Sequence, residues 1–217
     1  MGAATTELPR IVPVFALSGA LLLPGARLPL TVFEPRYLAL IDAALGAGRL
    51  FGLVQPAPAN AAGGDVAGLY GVGTLARITA FGETGDRRYL ITATGVTRFR
   101  LVSEVEGRAG YRRVVAEYGR FAADLAAAGV PERSLDRRRL MAAVSTYMTR
   151  QGVALDLGKL EKATDGEFVT SLAMAAPLSP EEKQALLEAP GLADRADLMT
   201  ALFEMALLAE AGQALLH

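Results

Sequence analysis

Two hydrophobic periods divide the chain near residue 118. Before it, apolar and polar residues alternate in short runs broken by Gly and Pro; after it, apolar residues return every three or four positions among Ala, Leu, Met and Glu. The first pattern belongs to strands with one buried face, the second to amphipathic helices. The predicted class is therefore α+β, with a β-rich domain over residues 1–118 and an α-helical domain over residues 119–217. Strands are expected at Ile11–Phe15, Arg49–Gln55, Leu69–Phe81, Tyr89–Thr94, Val96–Val105 and Tyr111–Tyr118, with Gly82–Asp86 (GETGD) as a hairpin loop. Gly and Pro punctuate these runs too often for a long flat sheet. Closing them into a small barrel would remove the edges that nothing else in the sequence protects.

One helix is expected inside the β pattern, in FEPRYLALIDAALGAG. Pro35 suits a first-turn position, where its missing N–H costs nothing. Tyr37, Leu40, Ile41, Ala44 and Leu45 then form a single apolar stripe, and Gly46 or Gly48 ends it. Ala57–Gly68 is small and featureless and reads as a loop. In the second half, helices are expected over about Phe121–Ala128, stopped by Gly129, and over about Ser134–Arg150, with Leu140, Val144, Tyr147 and Met148 on one face. Thr164 and Glu167 stand at capping-box spacing, and Ser179-Pro180-Glu181-Glu182 supplies cap, first-turn proline and a carboxylate three residues on. Pro190-Gly191 breaks that helix. The last one, about Ala193–Ala211, carries Leu198, Met199, Leu202, Phe203, Met205, Ala206 and Leu207 around more than one face. It needs cover on two sides, from the barrel and its neighbours or from a second subunit, so a homodimer through this helix is one arrangement the pattern allows.

Charge follows the same division. Residues 1–118 hold 12 Arg and 9 carboxylates, whereas residues 119–217 hold 10 Lys+Arg and 14 carboxylates. The net charge of -1 gives no overall pull toward nucleic acid or an anionic membrane. The 217 residues contain no Cys and one His, His217, which rules out cysteine nucleophiles, thiolate or multi-His metal sites and a triad built on an internal imidazole. No catalytic residue, metal site or cofactor is therefore predicted. Gly71-Val72-Gly73-Thr74-Leu75-Ala76 matches a dinucleotide fingerprint in letters, but strand-like sequence follows where a helix is required. Its glycines read as a bulge or a tight barrel bend. Gly158-Lys159 lacks the rest of a phosphate loop. MGAATTELPR is not a secretory leader, and Thr6 matches a myristoylation pattern only by chance; Glu204 and Glu210 interrupt the most apolar stretch, so a cytoplasmic protein is expected. Arg98, Arg100, Arg112 and Arg113 lie among aromatic and apolar strand residues. They form either a phosphate-holding face for RNA or the solvated outside of a barrel, and the modest charge favours the second.

The run IVPVFALSGALLLPGARLPLTVFEPRY, followed by a helix and RLFGLVQ, resembles the N-terminal substrate-binding domain of the Lon protease family, in particular stand-alone bacterial forms of it. GVGTLARITAF, DRRYLITATGVTRFRL, YRRVVAEY and the helical stretch FVTSLAMAAPLSPEEKQALLEAPGLADRADLM extend the likeness over most of the chain. The resemblance implies a PUA-like β-pseudobarrel with one inserted helix, followed by a C-terminal α-helical bundle. In Lon this region helps recognise unfolded or tagged polypeptides ahead of ATPase and protease modules. No Walker A sequence occurs here and 217 residues leave no room for those modules, so recognition alone is expected to carry over. The implied partner is an unfolded or tagged polypeptide, or a partner protein, with no membrane; the PUA-like relationship leaves an RNA-binding protein, using the arginine-bearing strand face, as the less favoured alternative. FEPRY admits two readings: a groove of Leu22, Leu23, Phe33, Glu34, Arg36 and Tyr37 that accepts apolar peptide side chains, or an internal lock of helix to barrel with Glu34 and Arg36 bound to the protein itself.

Overall fold

A computed structural model describes residues 8–58, 66, 68–125, 134–152 and 162–214. Thr6, most of the Ala57–Gly68 loop, the Gly129 stop, Gly158-Lys159 and His217 lie outside the described residues, as does the side chain of Glu210. The chain forms two compact units, Met1–Ala127 and Ala128–His217.

Among the described residues the first unit holds six strands: β1 Ile11–Ala16, β2 Arg27–Val32, β3 Leu50–Val54, β4 Val72–Glu83, β5 Tyr89–Arg108 and β6 Tyr111–Glu117, with helix α1 Pro35–Leu45 between β2 and β3. Their order is β2-β5-β4-β3-β1-β6, and β5 also pairs with β6. Five strands therefore close on themselves while β2 lies outside the ring. Among the described strands only β1 and β3 pair in parallel, because the crossover between them carries β2 and α1. Val12, Val14, Leu50, Val54, Leu75, Phe99, Leu101 and Val114 fill the barrel. β3 is buried along its whole length, with the barrel on one face and α1 packed over the other.

Strand β2 is the element that the alternation did not indicate. Pro29 interrupts LPL, and proline within a strand normally argues against one. The structure pairs Pro29 with Thr92 of β5 and gives β2 no second partner among the described residues, which is the edge position where a missing N–H is tolerated. β5 runs as one strand through Gly95, where two strands were expected. A Cβ at Gly95 would overlap the carbonyl of Leu23, and Gly95 instead exchanges 2.9 Å backbone bonds with Gly25 and Ala26. Beyond this approach β5 changes partner, from β2 at Thr94 to β6 at Arg100. Gly73, expected at a bulge or bend, sits in regular register with Phe99, whereas the register shifts fall at Leu75/Ala76 and Ile78/Ala80. A Cβ at Gly73 would come within 2.8 Å of the Leu53 carbonyl, so the residue is needed for space.

The first unit continues beyond residue 118. Gly119–Leu125 is a kinked 3-10 helix in place of the expected α-helix, and it is fastened to β5. Asp124 accepts from the Arg98 backbone N–H at 2.9 Å and from Arg98 Nη2 at 2.8 Å, while Phe121 lies 4.6 Å beneath the guanidinium. The periodicity changes before the packing does, because a chain can leave the sheet and still lie on it.

The second unit contains α2 Arg137–Arg150, α3 Asp165–Ala175, α4 Pro180–Glu188 and α5 Leu192–Ala214. Both predicted capping boxes form, on Thr164 with Glu167 and on Ser179 with Glu182. Met199 and Phe203 of α5 are buried, and the Phe203 ring lies 5.2 Å from that of Tyr147 on α2. Arg139 grips Glu204 through two bonds of 2.8 and 2.7 Å. Farther along α5, Met205 and Leu208 are 65% and 72% exposed.

Candidate functional site

The segment that joins β2 to α1 sorts its side chains by backbone geometry. Val32 ends β2 facing inward, buried, and Phe33 turns to the other side of the sheet, 62% exposed. Arg88 stands over the Phe33 ring at 6.0 Å, on the continuation of the Val32–Tyr89 register. Leu90, opposite Thr31 and Gly82, shares that face and is 50% exposed. On the opposite face Phe81 meets Tyr89 edge-on at 5.0 Å and remains exposed. A hydrogen bond to the Asp42 carboxylate holds the Tyr89 hydroxyl above its ordinary pKa. The end of the β4–β5 hairpin, with β2 beside it, thus carries open apolar side chains on both faces.

The other members of the expected groove lie elsewhere. Leu22 and Leu23 are 1% exposed and belong to the core, so they cannot line a surface groove. Tyr37 is also buried: its ring stacks on Phe15 at 4.0 Å and its hydroxyl donates to the Ala16 carbonyl at 2.9 Å. Burial of the phenol raises its pKa. Glu34 occupies the N-cap of α1 without capping by its side chain. Its carbonyl accepts from Tyr37 and Leu38, both at 2.9 Å, while its carboxylate binds Arg36 at 2.7 Å. A guanidinium two residues away competes successfully for that carboxylate. Of the six expected residues, the structure leaves Phe33 open as an apolar group, with the Glu34–Arg36 pair beside it half-open to solvent.

The four arginines do not form a common phosphate-binding face. Arg98 is buried on Asp124. Arg112 is held bidentately by Glu104, with both bonds at 2.7 Å, and this pairing lowers the pKa of Glu104. Arg100 reaches Glu117 at 4.0 Å, and Arg113 donates to the Glu106 carbonyl at 3.3 Å.

Leu90 and Phe81 were missing from the expected set, and the sequence held a signal for one of them. In YLITAT, Ile91 and Ala93 occupy the inward phase while Leu90 shares the outward phase with Thr92 and Thr94. A large apolar residue on the polar phase of a strand is the mark of a surface patch. Among the described residues no helix is long and apolar enough to cross a membrane.

The profile of the ATP-dependent protease La (LON) substrate-binding domain matches residues 11–204. The chain is 32% identical over 100 residues to Lon protease 2 of Myxococcus xanthus, a match covering 46% of this chain and 12% of that protein. It is 30% identical over 191 residues to the Lon protease of Salinispora arenicola, covering 87% of this chain and 23% of that one. The chain thus spans a small part of the curated relatives it matches. Its fold matches a Lon N-terminal domain protein from Xanthomonas campestris, with a TM-score of 0.61 at 22% identity over 88% of this chain and 97% of the other. It matches the N-terminal domain of the Mycobacterium avium complex Lon protease with a TM-score of 0.60 at 17% identity, over 89% and 98% of the two chains. A profile match that runs from the first barrel strand into the last helix, on a barrel and helices of this topology, places the chain in the family of the LON substrate-binding domain.

Proposed function

We propose that this protein is a non-enzymatic polypeptide-recognition module, an adaptor or chaperone-like protein. In this reading it holds apolar side chains of unfolded or tagged chains on the Phe33–Leu90 face of its barrel. The observation that carries the reading is Phe33: a phenyl ring 62% exposed at the start of a helix whose next aromatic, Tyr37, is fully engaged in packing. Phe33 and Leu90 sit on strand ends and a hairpin fixed by backbone pairing, so binding there orders few protein side chains. Arg88 adds a cation at the rim, steadied by Asp86 at 2.9 Å. The RNA reading draws no comparable support, since Arg98, Arg100 and Arg112 each face a carboxylate.

Fluorescence anisotropy with a labelled, chemically unfolded polypeptide rich in Leu and Phe tests the proposal. Phe33→Asp with Leu90→Asp should weaken binding about tenfold or more, as removal of central apolar anchors does, with the unfolding temperature unchanged. Equal affinity for the native protein and this variant would reject the site.

A further inference from the structure

A second site lies on the far side of α1. A cleft of about 350 Å³ opens between the C-terminal end of the helix and the strands beneath it. Ile11 and Pro13 of β1, Ala43 of α1, Ala47 just beyond it and Leu50 supply apolar walls, and Tyr111 and two arginines, Arg108 and Arg113, are among the rest of the lining. No carboxylate lines it.

Strand register and a tight turn set where both arginines leave the backbone. β1 and β6 pair with Pro13 opposite Arg113, and Arg113 alternates with Val114, which fills the barrel, so its side chain leaves on the outer face. Its Nη1 donates to the Glu106 carbonyl at 3.3 Å, which uses one N–H of five. Arg108 precedes a two-residue turn in which Ala109 and Gly110 have φ of 49° and 83°, the tight hairpin geometry that pairs Arg108 with Tyr111. Among the described residues neither arginine meets a carboxylate at ion-pair distance, in contrast to Arg98, Arg100 and Arg112 of the same strands.

Part of the helix C-terminus is satisfied within the chain, which reduces its opposition to an anion. The Asp42 carbonyl accepts from Gly46, the Ala44 carbonyl accepts from Ala47 and from Arg49, and the Gly48 carbonyl takes Arg77 Nη1 at 3.0 Å. The cleft therefore offers positive charge from two guanidiniums over a floor of small apolar side chains. Its chemical complement is one carboxylate attached to a short apolar group. At about 350 Å³ it sits near the lower limit of small-ligand sites, roughly 300 Å³, which suits a residue or two and not a passing strand.

We infer that this cleft captures the C-terminal end of a polypeptide, with the terminal carboxylate between Arg108 and Arg113 and a small apolar last side chain against Ala43, Ala47 and Leu50. This rests on the reading that the barrel recognises polypeptides, and it adds a chain-end preference to it. Arginine pairs suit carboxylates because their planar N–H groups match both oxygens.

The test uses the full chain and a fluorescent ten-residue unstructured peptide ending in Val-Ala, as free acid and as C-terminal amide. The acid should bind about tenfold more tightly than the amide. Arg108→Gln with Arg113→Gln should erase that preference, and Ala47→Leu, which fills the cleft and leaves the charges, should weaken the acid while the double-Gln variant keeps its native unfolding temperature. Equal binding of acid and amide to the native protein, or a preference that survives the double substitution, overturns the inference. So does displacement of the peptide by butyrate at the peptide's own concentration, since the cleft would then select acids and not chain ends. If acid and amide bind alike but Phe33→Asp still weakens both, the cleft falls and the hairpin site stands. If no polypeptide binds any form, both fall.

Discussion

Phe33 and Tyr37 are four residues apart in one motif, and the barrel treats them oppositely. Tyr37 is 5% exposed, stacked on Phe15 and hydrogen-bonded to Ala16; Phe33 is 62% exposed with a guanidinium above it. The difference is one of cover. The outer face of β1 and β3 is roofed by α1, whereas at the end of the β4–β5 hairpin, beside the edge strand β2, α1 reaches only the Tyr89 hydroxyl through Asp42, and Phe33, Leu90 and Phe81 stay exposed. An apolar side chain under a roof reports packing, and the same side chain on an unroofed rigid edge reports a surface available to a partner. The arginines divide the same way: Arg98 is sealed against Asp124, and Arg108 is exposed beside a cleft.

The division makes graded predictions. The largest effect belongs to the sealed ion pair, whose side chains are 4% and 9% exposed. Asp124→Ala removes the carboxylate from a buried guanidinium and should destabilise the barrel unit by about 3–5 kcal/mol, read as a shift of the urea midpoint. A loss below about 1 kcal/mol would mean that this pair belongs with the open groups. Tyr37→Ala comes next, at about 3 kcal/mol from lost burial and the cavity left behind. Phe33→Ala should stay within about 0.5 kcal/mol, as surface substitutions do. Similar losses for the two aromatics would break the comparison outright.

Gly95→Ala tests a covered backbone in place of a covered side chain. The added methyl overlaps the Leu23 carbonyl, so about 1–3 kcal/mol of overpacking is expected in thermal unfolding. The smallest effect is electrostatic. Arg112 lowers the folded-state pKa of Glu104 below the ordinary 4.5, chiefly through their hydrogen bonds. A depressed carboxylate pKa stabilises the fold above the unfolded value, and that stabilisation is lost as pH falls through the folded one. Glu104→Gln should therefore flatten the dependence of the unfolding midpoint on pH below about 4.5 and, between pH 6 and 8, lower the midpoint slightly with no change in its pH dependence. The pair is partly open to water, so the effect is small.

Much of this architecture was legible in the order of the residues. Alternation located five of the six strands, with β5 read as two, and capping chemistry at Thr164 and Ser179 located two helix starts, because those signals act over a few neighbouring positions. Pro35 and the Tyr37–Leu40–Ile41–Ala44 stripe did the same for α1. β2 was hidden by Pro29, since a local rule against proline cannot know that a strand will lie at an edge. The fate of FEPRY was hidden for a related reason. Phe33, Glu34, Arg36 and Tyr37 are all plausible binding groups as letters, and which of them faces water depends on where β1, β5 and α1 meet.

The chain's own order thus determined the two periodicities, the helix starts and the exclusion of cysteine and internal-histidine chemistry, all properties of composition or of contacts a few residues long. Tertiary structure alone decided that Arg98 would face Asp124, that Leu23 would press on Gly95, and that Arg108 and Arg113 would share a cleft with residues of α1. Those partners are brought together by strand register and closure of the barrel, and burial is a property of what finally lies across a side chain, which no short window of sequence contains.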